Sequence, residues 1–140
     1  MKPVRIIWHH TGDNYNGPQR GKIEAYHREL GFPVSSLGYA MGYHHLVERN
    51  GTLFRARADD EIGAHDAGEN DGSIGVALAG NFDEEWPSAE QHDALGRLIA
   101  SLQIRWDIGL ADIVPHRAGD STSCPGTNLP DKWAAYAALN

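Results

Sequence analysis

Three side chains able to bind a metal or attack a carbonyl, those of His9, His116 and Cys124, fall where a fold would present them. His9 lies near the end of Val4-Arg5-Ile6-Ile7-Trp8-His9-His10, a β-branched, aromatic-rich run that reads as a buried strand stopping at Thr11-Gly12-Asp13. His116 closes the short run Ile113-Val114-Pro115. Cys124 follows eight residues later, in a segment whose Gly, Ser, Thr and Pro content is that of a loop. Two imidazoles and a thiolate are the three ligands a catalytic zinc takes from a protein, leaving a fourth position for water. The spacing fits no structural zinc finger, which needs four closely paired ligands. Taken alone, it leaves two other readings open. Cys124 could be a small packed apolar side chain. It could also be a nucleophile activated by His116 or His9, with Asp120 or Asn128 orienting the imidazole.

The other histidines are placed by periodicity. Successive strand residues point to opposite faces, so His9 and His10 can contribute only one member to a common site, and likewise His44 and His45. His27 and His92 fall on expected helices and read as surface or core-edge residues. The single cysteine cannot form an intramolecular disulfide.

These residues need a scaffold, and the chain spells one out. Ile23, Tyr26, His27 and Leu30 are spaced as one face of a helix over 18–30, stopped by Gly31 and Pro33. Two strand-like runs, 42–48 and 53–57, flank Asn50-Gly51, a pair suited to a two-residue turn with positive φ at both positions. Ser73 to Gly80 reads as an apolar central strand. Ser88 and Gln91 form a capping box ahead of a helix with Leu95, Leu98, Ile99 and Leu102 on one face. A closing helix follows Pro130. At helix and strand spacing the four tryptophans read as core. The order β, α, ββ, β, α, β, α predicts an α/β fold, a single domain over 1–140 with a central mixed β-sheet flanked by helices.

A length of 140 residues suits one domain. A net charge of −7 with no basic run argues against nucleic acid or an anionic membrane as partner. The N-terminus has no long apolar stretch of the signal-peptide kind, and no segment approaches transmembrane length.

Five stretches, in order along nearly the whole chain, resemble the amidase-2 family of small phage endolysins and animal peptidoglycan-recognition proteins. They are Ile6 to Thr11, Gly42 to Gly51, Gly63 to Gly68, Asn70 to Gly80, and His116 through Cys124-Pro125-Gly126. The resemblance implies Zn2+ held by His9, His116 and Cys124, and hydrolysis of the amide joining N-acetylmuramic acid to L-alanine in bacterial peptidoglycan. It makes Tyr43 the active-site tyrosine. Thr122, two positions before the third ligand, stands where endolysin-like relatives carry Lys and recognition-protein amidases carry Thr. One branch places a Glu near the metal within the stretch that here reads Val76-Ala77-Leu78. Ala77 cannot be a base, so Tyr43 and Thr122 must serve instead. His65 resembles a substrate-groove residue, a hydrogen-bonded loop histidine being the plain alternative. By the same resemblance the protein is expected to be a monomeric phage or prophage endolysin, made in the host cytoplasm and reaching the wall after release. A non-catalytic peptidoglycan-binding module of the same fold is the alternative.

Overall fold

The computed structural model describes residues 1–139 and contains a five-stranded sheet of order β3-β2-β4-β1-β5. The strands are β1 (Arg5–His10), β2 (His45–Val47), β3 (Leu53–Arg55), β4 (Ser73–Leu78) and β5 (Ile113–Pro115). Strand β1 runs parallel to β4 and β5, β2 runs parallel to β4, and β3 turns back antiparallel on β2. The expected mixed sheet with flanking helices is therefore what forms. Strand β4 lies at its centre and is buried along its whole length, which explains why it reads as one continuous apolar run.

Helix α2 (Ala89–Trp106) and the short α3 (Trp133–Ala137) cover one face of the sheet. Leu95, Leu98, Ile99 and Leu102 pack there against Ile6, Trp8, Ile74, Val76 and Leu78. Each such side chain contributes roughly 1.5–3 kcal/mol on burial. Ser88 and Gln91 form the expected capping box. Trp8 is buried, and Trp106 and Trp133 pack against this core. Trp86 is 65% exposed and does not belong to it.

The opposite face is built from smaller residues, Met41, Leu46, Ala56, Ala77 and Ala79, with Ile23, Tyr39, Tyr43 and Phe54 at its edge. Helix α1 (Arg20–Glu29) borders this face. Its predicted apolar stripe is only partly used: Ile23 and His27 are half-buried, whereas Tyr26 and Leu30 face solvent.

The hairpin departs from expectation in a definable way. Gly51 has φ +85°, but Asn50 does not have positive φ. The Gly51 amide donates to the Glu48 carbonyl at 2.9 Å, and the Glu48 amide to the Thr52 carbonyl at 2.9 Å. That pattern is a three-residue loop with glycine at the left-handed bulge position, so one positive φ suffices. Both hairpin strands are also shorter than expected. Beyond β3 the buried Arg57 turns inward and donates to the carbonyls of Pro33, Ala40 and Met41, which draws the chain off the sheet.

Candidate metal centre

The register of β1 against β4 pairs His9 with Ala77, and His9 extends over the small-residue face. His10 points the other way, where its Nδ1 accepts from the Phe82 amide at 3.0 Å. His116 follows β5 and opens a short 3-10 turn (His116–Ala118) at the same end of the sheet. The loop after it is folded back by Arg117, which donates to the carbonyls of Gly126 and Leu129 and pairs with Asp131. The Arg117 amide donates to the Cys124 carbonyl at 2.9 Å. Asp83 fastens the far side, accepting from Ser123 at 3.0 Å and from the Thr127 amide at 2.8 Å. Cys124 is thereby brought under β1.

The outcome is a cluster in which one ligand atom each of His9, His116 and Cys124 lie within 4.8 Å of one another. The Cys124 Sγ stands 3.8 Å from His9 Nδ1, and the His9 and His116 ring centres are 4.6 Å apart. Nitrogen and sulfur ligands of one tetrahedral zinc are separated by about 3.6 Å, given bonds of about 2.0–2.1 and 2.3 Å. The donor set and its spacing fit zinc. Burial, with His65, His116 and His10 nearby, holds His9 well below the ordinary histidine range, so at neutral pH its imidazole is uncharged and able to ligate. Burial pushes the Cys124 thiol up to about 12. A thiol that weakly acidic stays protonated at neutral pH unless a cation or a base beside it takes the proton, and a bound metal cation would do so.

The three remaining residues singled out by sequence take different places. Tyr43 packs against the cluster, its ring 5.1 Å from that of His9. Burial raises its pKa above the ordinary tyrosine value, followed by the effect of Cys124. Thr122 is exposed on the loop before Cys124, and its hydroxyl accepts from the Cys124 amide at 3.2 Å. His65 lies behind His9, 9% exposed, with its Nδ1 3.0 Å from His9 Nε2. It therefore occupies the hydrogen-bonded position that was the alternative to a groove residue. Gly75 makes room for it: a Cβ there would lie 2.5 Å from the His65 ring.

A cleft of about 380 Å³ leads away from Tyr43 along α1, lined by Thr11, Asp13, Lys22, Ile23, Tyr26 and His27. Asp120, named from sequence as one of two residues that could orient an imidazole, lies with its Oδ2 3.2 Å from His116 Nε2, whereas Asp66, which sequence reasoning did not single out, has its Oδ1 3.5 Å from the same nitrogen. The visible signal for Asp66 was its place beside His65 in Gly63-Ala64-His65-Asp66.

Residues 1–127 match the sequence profile of a family described as N-acetylmuramoyl-L-alanine amidase. The chain belongs to the amidase-2 family. Among its relatives, peptidoglycan-recognition protein SC2 of Drosophila melanogaster is 32% identical over 125 residues, covering 88% of this chain and 68% of that protein. The endolysin of Klebsiella phage KP32 is 29% identical, over 80% of this chain and 72% of the endolysin. The solved amidase LysC of Clostridium intestinale URNW superposes with a TM-score of 0.83 at 33% identity. That match covers 99% of this chain and 85% of LysC.

Proposed function

We propose that this amidase-2 chain is a zinc-dependent N-acetylmuramoyl-L-alanine amidase, acting on peptidoglycan as a monomeric phage or prophage endolysin. The observation that carries the reading is the convergence of His9, His116 and Cys124 in one cluster, with Tyr43 packed against His9 and also lining the cleft beside α1. The endolysin role draws on likeness to the Klebsiella phage KP32 endolysin, and implies synthesis in the host cytoplasm and action on the wall after release.

A bound zinc supplies Lewis acidity, lowering the pKa of a water ligand towards about 7 and polarising a carbonyl oxygen. The chain's own residues do the rest. The cleft beside α1 orients the stem peptide so that the lactyl carbonyl faces the His9–His116–Cys124 cluster. With its pKa raised by burial, Tyr43 keeps its proton at neutral pH, so its phenol Oη donates a hydrogen bond to the carbonyl oxygen or the departing amine. The Thr122 hydroxyl accepts from the Cys124 amide, which leaves its own hydrogen free to donate to the developing oxyanion. Ala77, beside His9, offers no base.

The test is zinc content together with release of free L-alanine amino groups from peptidoglycan, for wild type and Cys124→Ala. One zinc and activity in the wild type, both lost in the variant, is the expected result. Zinc without cleavage would make the protein a peptidoglycan-binding module.

A further inference from the structure

His65 and Asp66 are consecutive residues of one loop, and each lies against the Nε2 of a different ligand histidine. We propose that they are positioning residues that fix the two imidazoles, so that His9 and His116 both present Nδ1 to the zinc. The inference rests on His9, His116 and Cys124 being the ligands.

For His9 the hydrogen-bond chain determines the tautomer. Ser73 Oγ lies 2.6 Å from the Glu69 carbonyl and 3.3 Å from His65 Nε2. A carbonyl only accepts, so the serine hydroxyl donates to it and accepts from His65 Nε2–H. His65 Nδ1 is then bare and accepts from His9 Nε2–H at 3.0 Å. That leaves His9 Nδ1, the nitrogen 3.8 Å from Cys124 Sγ, without a proton and free to ligate.

For His116 the partners are carboxylates, which also only accept. Its Nε2 is hydrogen-bonded to Asp120 Oδ2 at 3.2 Å, and Asp66 Oδ1 lies 3.5 Å away without a hydrogen bond. Nε2 therefore carries the proton, and Nδ1 is left for the metal. The two acids differ in how firmly they are held. The Asp120 side chain is half-exposed. Asp66 is 4% exposed, and its Oδ1 has no hydrogen-bond partner among the described residues. Both the His65 and Asp66 amides donate to Asn70 Oδ1, at 2.8 and 2.9 Å, which locks the pair as a unit. Asp66, the more firmly held acid, is the one placed to take up the Nε2–H once zinc occupies Nδ1, as in a carboxylate–histidine–zinc arrangement. A second cation between Asp66, His116 and Asp120 would compete for the same Nε2. With zinc on Nδ1 it would require an imidazolate.

The experiment is zinc affinity of the full chain by competition with a chromogenic chelator, alongside melting of the zinc-free protein. Asp66→Ala is expected to weaken zinc roughly 10- to 100-fold, with Asp66→Asn between it and wild type. His65→Phe, which keeps ring volume but offers no acceptor, is expected to fall in the same range. The zinc-free melting temperature of Asp66→Ala should stay level or rise, because a buried carboxylate oxygen without a partner is removed. Asp120→Ala should change affinity by less than about fivefold, as for an exposed pair. Wild-type affinity in Asp66→Ala would overturn the assignment. So would a full loss in Asp120→Ala, a zinc-free melting loss that parallels the affinity loss, or a second zinc removed by Asp66→Ala. A wild type that binds zinc without cleaving strikes only the amidase reading, whereas one that binds no zinc removes the ligand set beneath both.

Discussion

Gly75 on β4 and His65 in the preceding loop occupy adjoining space, and a Cβ on Gly75 would come within 2.5 Å of the His65 ring carbons. The φ of Gly75 is not positive, so what the position requires is room rather than conformational freedom. Gly75→Ala should therefore displace His65 and cost about 1–3 kcal/mol, as overpacking of a core does. Thermal unfolding and zinc titration check this together. The expected pair of results is a lower melting temperature and weaker zinc. A variant matching wild type in both would mean that His65 can move at no cost.

Cys124 provides a second prediction. Its thiol, pushed up to about 12 by burial, is protonated at pH 7 in the zinc-free protein and must lose that proton to ligate. His9 is already neutral there. In Cys124→Asp the third ligand is ionised beforehand, so zinc binding should release about one proton fewer than in wild type. Calorimetry in buffers of different ionisation enthalpy measures the difference directly. Equal proton release would place the thiolate in the zinc-free state.

Acid should weaken the zinc-free fold through its buried histidines. Burial holds His44 down at about 4 and His65 at about 3, against an ordinary value of 6.5. Between those limits the unfolded chain binds more protons than the folded one. Stability from these groups is complete above pH 6.5 and is lost as the pH falls towards 4. Each contributes a slope of up to about 1.4 kcal/mol per pH unit. His9, His10 and His27 are also lowered and act in the same direction. Asp66 opposes them, since burial raises its pKa. Urea unfolding at pH 7 and pH 5 should show the lower stability at pH 5, and equal stabilities would contradict buried neutral histidines.

Much of this scaffold is legible because its signals are local. The apolar run of β4, the Ser88–Gln91 capping box and the Leu95–Leu102 face all follow from short-range periodicity, and each forms as expected. His9 and His116 are legible because strand ends project side chains above a sheet. What stays hidden is pairing between distant segments. Arg57 looks like one more strand residue until its guanidinium is seen bonded to carbonyls of Pro33, Ala40 and Met41. The neighbours of His65 and Asp66 are equally invisible in one dimension, because His9 is 56 residues from the first. Tyr26 and Leu30 fit a helical period yet face solvent, since periodicity names a stripe and not what covers it.

Glu48 is the clearest case of such hidden pairing, and it yields the last prediction. The N-terminus of α1 has no side-chain cap of its own. Glu48, 7% exposed at the end of β2, provides one from across the fold. Its carboxylate accepts from the Gln19 amide at 2.8 and 2.9 Å and from the Arg20 amide at 3.1 Å. Negative charge at a helix N-terminus also meets the positive end of the helix dipole. Glu48→Ala leaves two amides without their acceptor and opens space beside them, at an expected cost of about 1.5–3 kcal/mol, the range for hydrogen bonds to a charged group. Glu48→Gln keeps one acceptor oxygen and should lose less. Because Ile23, Tyr26 and His27 of α1 line the cleft beside Tyr43, loosening the helix should raise KM for peptidoglycan more than it lowers kcat. His9, His116 and Cys124, the proposed ligands, lie on other elements, so zinc affinity should stay near wild type. An α1 anchored without Glu48 would show itself as unchanged melting in Glu48→Ala.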